Sequence, residues 1–431
     1  MVTGASGNVG TSVLDVLADA DPVEDVVAIA RRLPTRDERA RWRSADVARD
    51  DLAALFAGAD VVIHLAWLIQ PSRDERVTQR VNVEGSARVF DATAKAAVPA
   101  LVYASSVGTY APAASSAPVD ESWPTTGIDT SFYSRQKAAV ERLLDDFEAR
   151  HPDIRTVRLR PALTFKQEAA TEIRRLFIGP LLPGRVLRRD WLRLLPFPRG
   201  LRTQAVDSHD VGRAYRLAAL GDVCGAFNVA APPVLDASLL AAALGGRSVE
   251  LPAGAIRAAA WATWKARLQP TSPGWLDMGM LSPIMDTARA QRELGWNASV
   301  RADEAVVALL DGLRRGTGAS TPPLDPRSSG TLRWRSSARA WARATSRRFA
   351  VGAQGNLENL WTCARNERRR TASRLNTRPC GLACRATTRR DHESADLAWN
   401  ARRACRHRPG SEHREADGCN RACHLERHLR I

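Results

Sequence analysis

Four short runs of Val, Ile and Leu fix most of what residues 1–165 can become: Val26–Ala30, Val61–Ala66, Leu101–Ser105 and Thr156–Leu159. Each run is continuous rather than alternating, as in strands buried on both faces. Between them, residues 8–20, 76–97 and 133–150 carry apolar residues at helical spacing. Strand alternating with helix predicts an α/β fold, a doubly wound parallel sheet with helices on both sides. A first strand is also expected, yet only Met1, Val2 and Thr3 precede Gly4, against a usual five or six residues. Either the strand is clipped or the start lies a few residues late, and either weakens the sheet there.

That first strand runs into Thr3-Gly4-Ala5-Ser6-Gly7-Asn8-Val9-Gly10. Glycines at this spacing permit a tight turn and let backbone N–H groups approach a phosphate, while the following helix N-terminus adds a favourable dipole. A glycine turn with no ligand is the alternative, and the motif is weak by itself. Its strand-before, helix-after setting strengthens it. A second segment, Tyr133-Ser134-Arg135-Gln136-Lys137, places a phenol and an ammonium on one face of a predicted helix. Tyr-x-x-x-Lys alone is more often structural. Ser105-Ser106 follows a strand and could merely cap a turn. His64 closes an apolar strand and reads as a satisfied core histidine. Asp210 reads as the cap of the helix after it, and His209 stays open between the two roles.

In combination these segments resemble the extended short-chain dehydrogenase/reductases of the NAD-dependent epimerase/dehydratase type. Seven motifs occur in that family's order: Thr3 to Gly10, Ala45-Asp46-Val47, His64-Leu65-Ala66-Trp67, Asn82-Val83-Glu84-Gly85, Tyr103-Ala104-Ser105-Ser106, Tyr133-x-x-x-Lys137 and Arg160-Pro161. The match spans about 1–315. It implies a Rossmann-type sheet over 1–165, a substrate lid over 166–320 with 205–230 returning to the sheet, and an enzyme acting by hydride transfer. Tyr133 would be the general acid/base. A free phenol has a pKa of ~10, and Lys137 with the nicotinamide cation would lower it. Lys137 would also hold the ribose. Ser106, four residues before Tyr110, would orient the substrate oxygen. Gly4, Ser6, Gly7, Asn8, Val9 and Gly10 would hold the pyrophosphate. Asp46 and Val47 would lie near the adenine, and Leu65, Ala66 and Trp67 along the adenosine and phosphates. Asn82 would support neighbouring strand ends, and Arg160, Pro161, Ala162 and Leu163 would border the nicotinamide. A cofactor-binding sensor without turnover is the alternative class, but such relatives lack the Tyr/Lys pair.

The second strand ends Ala30-Arg31-Arg32, with no carboxylate before Asp37. An acidic residue here favours NAD, whereas a basic one accommodates the 2′-phosphate of NADP. Arg31 and Arg32 therefore favour NADP over NAD, unless both are simply solvated. The substrate is expected to be a small molecule, a nucleotide sugar or another hydroxyl or carbonyl compound. Arg174, Arg175, Arg185, Arg188, Arg189, Arg193, Arg199 and Arg202 could clamp a diphosphate, although surface charge is the preferred reading. Phe165 and Trp191 lie in the same stretch, and Trp261, Trp264 and Trp275 read as lid packing. Helices are expected at 210–220, 236–245, 253–268 and 303–314, and a strand at Gly225–Ala230. The resemblance also suggests a homodimer through 76–97 and 133–150, whose apolar stripes would equally pack on the sheet.

The net charge of +16 belongs to the end of the chain. Residues 325–431 hold 24 Arg, no Lys and 10 Asp+Glu, together with six of the seven cysteines. The remainder is nearly neutral and carries only Cys224, as expected of a reduced, cytoplasmic protein. No leader is expected before the glycine run, since Thr3 and Gly4 already belong to the motif, and no apolar run reaches the ~18 residues of a membrane span. For 321–431 three readings compete: a nucleic-acid binder using Arg with Trp334, Trp341, Trp361 and Trp399; a zinc site among Cys405, His407, His413, Cys419, Cys423, His424 and His428; or an out-of-frame or read-through extension. No Cys-x-x-Cys pair occurs, only Cys380-x-x-x-Cys384 and Cys419-x-x-x-Cys423, so no metal is expected. The Lys-free, aperiodic composition favours the third reading and disorder.

Overall fold

The computed structural model describes residues 1–329 apart from 19, 71–72, 114–116 and 179–193. Arg185, Arg188, Arg189, Trp191, Arg193 and the whole Cys/His/Trp-bearing stretch from 330 lie outside the described residues. The strands are β1 (Val2–Thr3), β2 (Val27–Ala30), β3 (Arg41–Ser44), β4 (Val61–His64), β5 (Ala100–Ala104), β6 (Arg155–Pro161), β7 (Leu163–Phe165), β8 (Leu194–Pro198), β9 (Arg202–Asp207), β10 (Gly225–Val229), β11 (Ala231–Asp236) and β12 (Arg247–Leu251). The α-helices are α1 (Asn8–Ala18), α2 (Ala53–Phe56), α3 (Glu75–Gln79), α4 (Gly85–Lys95), α5 (Phe132–Arg150), α6 (Ala170–Ile173), α7 (Ser208–Leu220), α8 (Ala237–Leu244), α9 (Ala253–Lys265), α10 (Gly274–Leu281), α11 (Ala288–Glu293) and α12 (Ala302–Arg315).

Seven strands form a parallel sheet in the order β10-β6-β5-β4-β1-β2-β3. Successive side chains leave a strand on opposite faces, and here both faces are covered. Ala28, Ile63 and Val102 join the core under α1 and α7. Their neighbours Val27, Ile29, Val62, Leu101 and Tyr103 join a second core under α4 and α5. This double burial is why the strands read as continuous apolar runs. The stripes of α4 and α5, including Val89, Phe90, Val140, Leu144 and Phe147, are spent on that second core.

β1 is two residues long, as the sequence suggests. It is pinned by pairing on both sides, and the Met1 amine donates to Val61 O at 2.8 Å. The strand expected at 225–230 is β10, at the far edge of the sheet beside β6. Two small sheets, β11-β9-β7 and β12-β8, lie outside the seven-stranded one. Among the described residues no helix is long and apolar enough to cross a membrane.

Candidate active site

The glycine loop follows from close backbone packing. Gly4 has φ +70°, and a Cβ there would lie 2.6 Å from Ala66 N. A Cβ on Gly10 would lie 2.4 Å from Gly4 O. Side chains at either position would push α1 or the 65–66 segment away. Gly4 N–H donates to Ile29 O and Leu65 N–H to Thr3 O, so the ends of β1, β2 and β4 meet at one point. The first turn of α1 opens there. Asn8 Nδ2 donates to Thr164 O at 3.1 Å, whereas its Oδ1 is buried without a partner. Ser6 O accepts from the buried Thr321 hydroxyl. A loop closed by backbone packing at a helix N-terminus fits a dinucleotide diphosphate.

An acid already stands at this N-terminus. The Glu172 carboxyl, on α6, stands near Asn8 N–H, and burial pushes it up to about 7 against the pull of Arg175 and Lys166. Lys166 is buried, and its ammonium donates to the Thr11 and Ser12 hydroxyls at 2.6 and 2.9 Å. Burial pushes it down to about 8.

Along the same carboxyl edge, Arg31 and Arg32 lie exposed after β2. Asp37, the first carboxylate past them, accepts from Arg39 Nε at 2.9 Å, and its side chain is almost covered. Asp46 follows β3 and accepts from Ala48 N–H at 3.0 Å. Val47 is buried and would touch a Cβ on Gly85. Leu65, Ala66 and Trp67 continue from β4. Asn82 is buried and bonds both Leu68 N–H and Leu68 O, which fixes this segment.

Opposite the loop, Ser131 caps α5 and places Tyr133 and Lys137 one turn apart. Ser106 accepts Gly108 N–H at 3.1 Å and stands beside the Tyr133 phenol, whose pKa it lowers. Ser105 turns away and donates to Glu141. The Lys137 ammonium donates to Ala104 O at 2.5 Å, lies 3.6 Å over the Trp67 ring, and is 5.9 Å from the Tyr133 ring. Burial pushes Lys137 down to about 7, with Glu141 opposing. It pushes Tyr133 up to about 12, opposed only by Ser106. Desolvation sets the direction of the Tyr133 shift here, and Lys137 is not among its causes.

Other corrections come from burial. Arg160 does not present its side chain to the ring site. It forks onto Glu141 at 3.0 and 3.0 Å, beside Arg158 and the Tyr110 hydroxyl, while Pro161 ends β6 next to Val229. Burial acts upward on Glu141, but the two arginines hold it at about 2. Asp210 does not cap α7; Asp207 does. Asp210 instead accepts from Ser299 and Val300 N–H at 2.8 and 3.0 Å. His209 lies 3.4 Å from Asp15. His64 is a satisfied core residue, bonded to Thr3 and Ser86.

Trp261 is exposed and Trp264 stacks on Arg73. Trp275, however, lies 4.9 Å from the Tyr133 ring, in contact with the candidate site rather than in remote lid packing. Arg199 and Arg202 are exposed, and Phe165 packs on the core. Sequence reasoning missed Glu141, Glu172, Phe177 and Met278. A Glu one turn past Lys137 was the one visible signal among them. A separate surface hollow between the end of α7 and residues 293–297 contains none of these residues. Among the described residues no group of three His, Cys, Asp or Glu could hold a metal ion.

Residues 1–175 match the NAD dependent epimerase/dehydratase family. An uncharacterised protein of Mycobacterium tuberculosis is 26% identical over 76% of this chain and 85% of its own length. A decarboxylating sterol-4-alpha-carboxylate 3-dehydrogenase of Saccharomyces cerevisiae is 28% identical over 38% of this chain and 50% of that protein. MoeE5 in complex with UDP-glucuronic acid and NAD is 22% identical, with a TM-score of 0.55 over 73% of this chain and 98% of that one. UDP-glucose 4-epimerase of Thermotoga maritima with UDP-glucose is 18% identical, with a TM-score of 0.55 and the same coverage. These structures share the fold.

Proposed function

We infer, from residues 1–175 belonging to the NAD dependent epimerase/dehydratase family and from the site they build, that the protein is a nicotinamide-dependent oxidoreductase working in the reductive direction on a carbonyl compound. The observation that carries the reading is the placement of Ser106 and Lys137 beside Tyr133: Ser106 lowers the phenol's pKa, and Lys137 lies one helical turn on with its ammonium 5.9 Å from the ring. A bound NADPH or NADH would supply hydride. The Gly4–Gly10 loop, with Ser6, Asn8 and Val9, would receive its diphosphate. Asp46, Val47, Leu65, Ala66 and Trp67 would line the adenosine side, Asn82 would hold that segment in place, and Lys137 and Pro161 would flank the nicotinamide ribose and ring.

A phenol held at about 12 is protonated at neutral pH. It suits proton donation to a carbonyl oxygen better than proton abstraction from an alcohol. Ser106 would orient that oxygen. Arg31 and Arg32, exposed where a ribose 2′-group would come, support NADP. Asp37 is committed to Arg39 and does not compete. The substrate class stands between a nucleotide sugar, as in the structural neighbours' complexes, and another hydroxyl or carbonyl compound, as the sterol dehydrogenase's name indicates. A homodimer would have to use the outer faces of α4 and α5, since their apolar stripes are spent on the sheet.

The test is to mix purified protein with NADPH or NADH and a carbonyl panel and follow loss of the reduced dinucleotide. Carbonyl-dependent oxidation supports the reading. Dinucleotide binding without turnover, unchanged by Tyr133→Phe, favours a sensor.

A further inference from the structure

The groups around the Tyr133 phenol are those of an apolar site. Trp275 packs on the Tyr133 ring at 4.9 Å and 38°. Phe177 stands edge-on to Trp275 at 4.9 Å, and Trp67 meets Tyr133 at 5.8 Å. The wall is held in place from behind. A Cβ on Gly274 would lie 2.3 Å from Thr130 O, so α10 is pressed onto the start of α5. The Thr271 hydroxyl donates to Phe177 O at 2.6 Å and ties residues 174–178 to the α9–α10 connection. One turn beyond Trp275, Met278 fills the space over Gly108, with its sulfur 3.0 Å from the position of a Cβ there.

Polar capacity beside the wall is already used. Gln204 gives both ends of its amide to Met285, at 3.1 and 2.7 Å. Asp277 is forked by Arg257. A small cavity touching Val107, Ala162, Met278 and Pro283 contains the Ser282 hydroxyl, which is buried without a partner. The indole N–H groups of Trp67 and Trp275 are likewise buried without an acceptor. Among the described residues these polar atoms are covered, and the wall around Tyr133 is aromatic. A sugar ring presents a hydroxyl on most of its carbons, and each one left unpaired costs about 1–3 kcal/mol. An apolar ring incurs no such cost and gains by packing on indoles.

We propose that the substrate is an apolar cyclic ketone, or the matching secondary alcohol in reverse, whose ring packs against Trp275 and Trp67 while its oxygen meets Tyr133 and Ser106. This rests on the oxidoreductase reading above. In the reductive direction the C=O π bond breaks and the carbon takes a hydride from the reduced dinucleotide. The oxygen takes the Tyr133 proton. The products are a secondary alcohol, the oxidised dinucleotide and a phenolate that solvent reprotonates.

The experiment uses the full chain, NADPH, a fused-ring ketone (decalone) and UDP-glucose. Two readouts are taken, dinucleotide oxidation and ligand-induced thermal shift. Decalone is expected to be reduced and to raise the melting temperature, and UDP-glucose to do neither. Trp275→Ala should raise KM for decalone by about 10-fold or more, with the dinucleotide Kd changed less than about twofold. Trp275→Phe, which keeps an aromatic face, should restore KM to within about threefold and guards against a folding defect in the alanine variant. A thermal shift with UDP-glucose and none with decalone overturns the substrate class and leaves the oxidoreductase reading standing. Dinucleotide binding with no ketone reduced, or decalone turnover indifferent to Trp275→Ala, also overturns the proposal. Absence of dinucleotide binding removes the proposal and the underlying reading together.

Discussion

Glu172→Gln tests the glycine-loop end of the site through stability. The Glu172 carboxyl is four-fifths covered, with 18% side-chain exposure, and burial raises it from an ordinary ~4.3 to about 7. A raised acid favours the protonated form in the folded chain. Its contribution is therefore fully present below the ordinary carboxylate pKa and is lost as pH rises through about 7. Each tenfold change in proton affinity is ~1.36 kcal/mol, so the loss approaches about 3 kcal/mol by pH 8. Gln cannot titrate and escapes it.

Thermal unfolding of wild type and Glu172→Gln is compared at pH 4.5 and pH 8, so that every other titration cancels in the difference. At this size ~1 kcal/mol moves Tm by roughly 2 °C. The variant should melt within about 1 °C of wild type at pH 4.5 and roughly 5 °C higher at pH 8. Because the dinucleotide diphosphate is expected at the same helix N-terminus, the variant should also bind NADPH more tightly at pH 8. A Tm difference of the same size at both pH values refutes the placement of this carboxyl.

Gly10→Ala drives a methyl to 2.4 Å from Gly4 O; it should lower stability by about 1–3 kcal/mol and abolish dinucleotide binding by titration, and wild-type affinity would contradict the close-packed loop. Glu141→Gln leaves Arg158 and Arg160 buried without their shared carboxylate; denaturant unfolding should show a loss of about 3–5 kcal/mol, and a loss under ~1 kcal/mol would show the network to be dispensable. Replacing Arg31 and Arg32 by Ser should weaken NADPH binding by about tenfold or more with little change for NADH, and equal changes for both would remove the 2′-phosphate assignment.

The sequence was legible where periodicity and burial agree. Val27 to Ala30, Val62-Ile63 and Leu101 to Tyr103 feed two cores at once, and that double use produces an unbroken apolar run. β3 was not legible, because Arg41-Trp42-Arg43-Ser44 is a mostly exposed edge. β8 was hidden by its two prolines and survives as half of a two-stranded sheet. In the site, Gly4, Gly10, Ser106, Tyr133 and Lys137 could be found because their spacing is fixed by one loop, one strand end and one helical turn. Trp275 and Glu172 arrive from distant segments, and only tertiary packing brings them in. The burial of Tyr133 is not visible in the sequence either, because a sequence displays neighbouring charge but not desolvation.

The central claim is that Tyr133 moves the proton in a site that binds a nicotinamide dinucleotide independently of it. Tyr133→Phe, measured for dinucleotide Kd and for carbonyl-dependent NADPH oxidation, tests this directly. The account predicts a Kd within about twofold of wild type and a kcat lower by ~10²-fold or more. An undiminished kcat, or a loss confined to Kd, would contradict it.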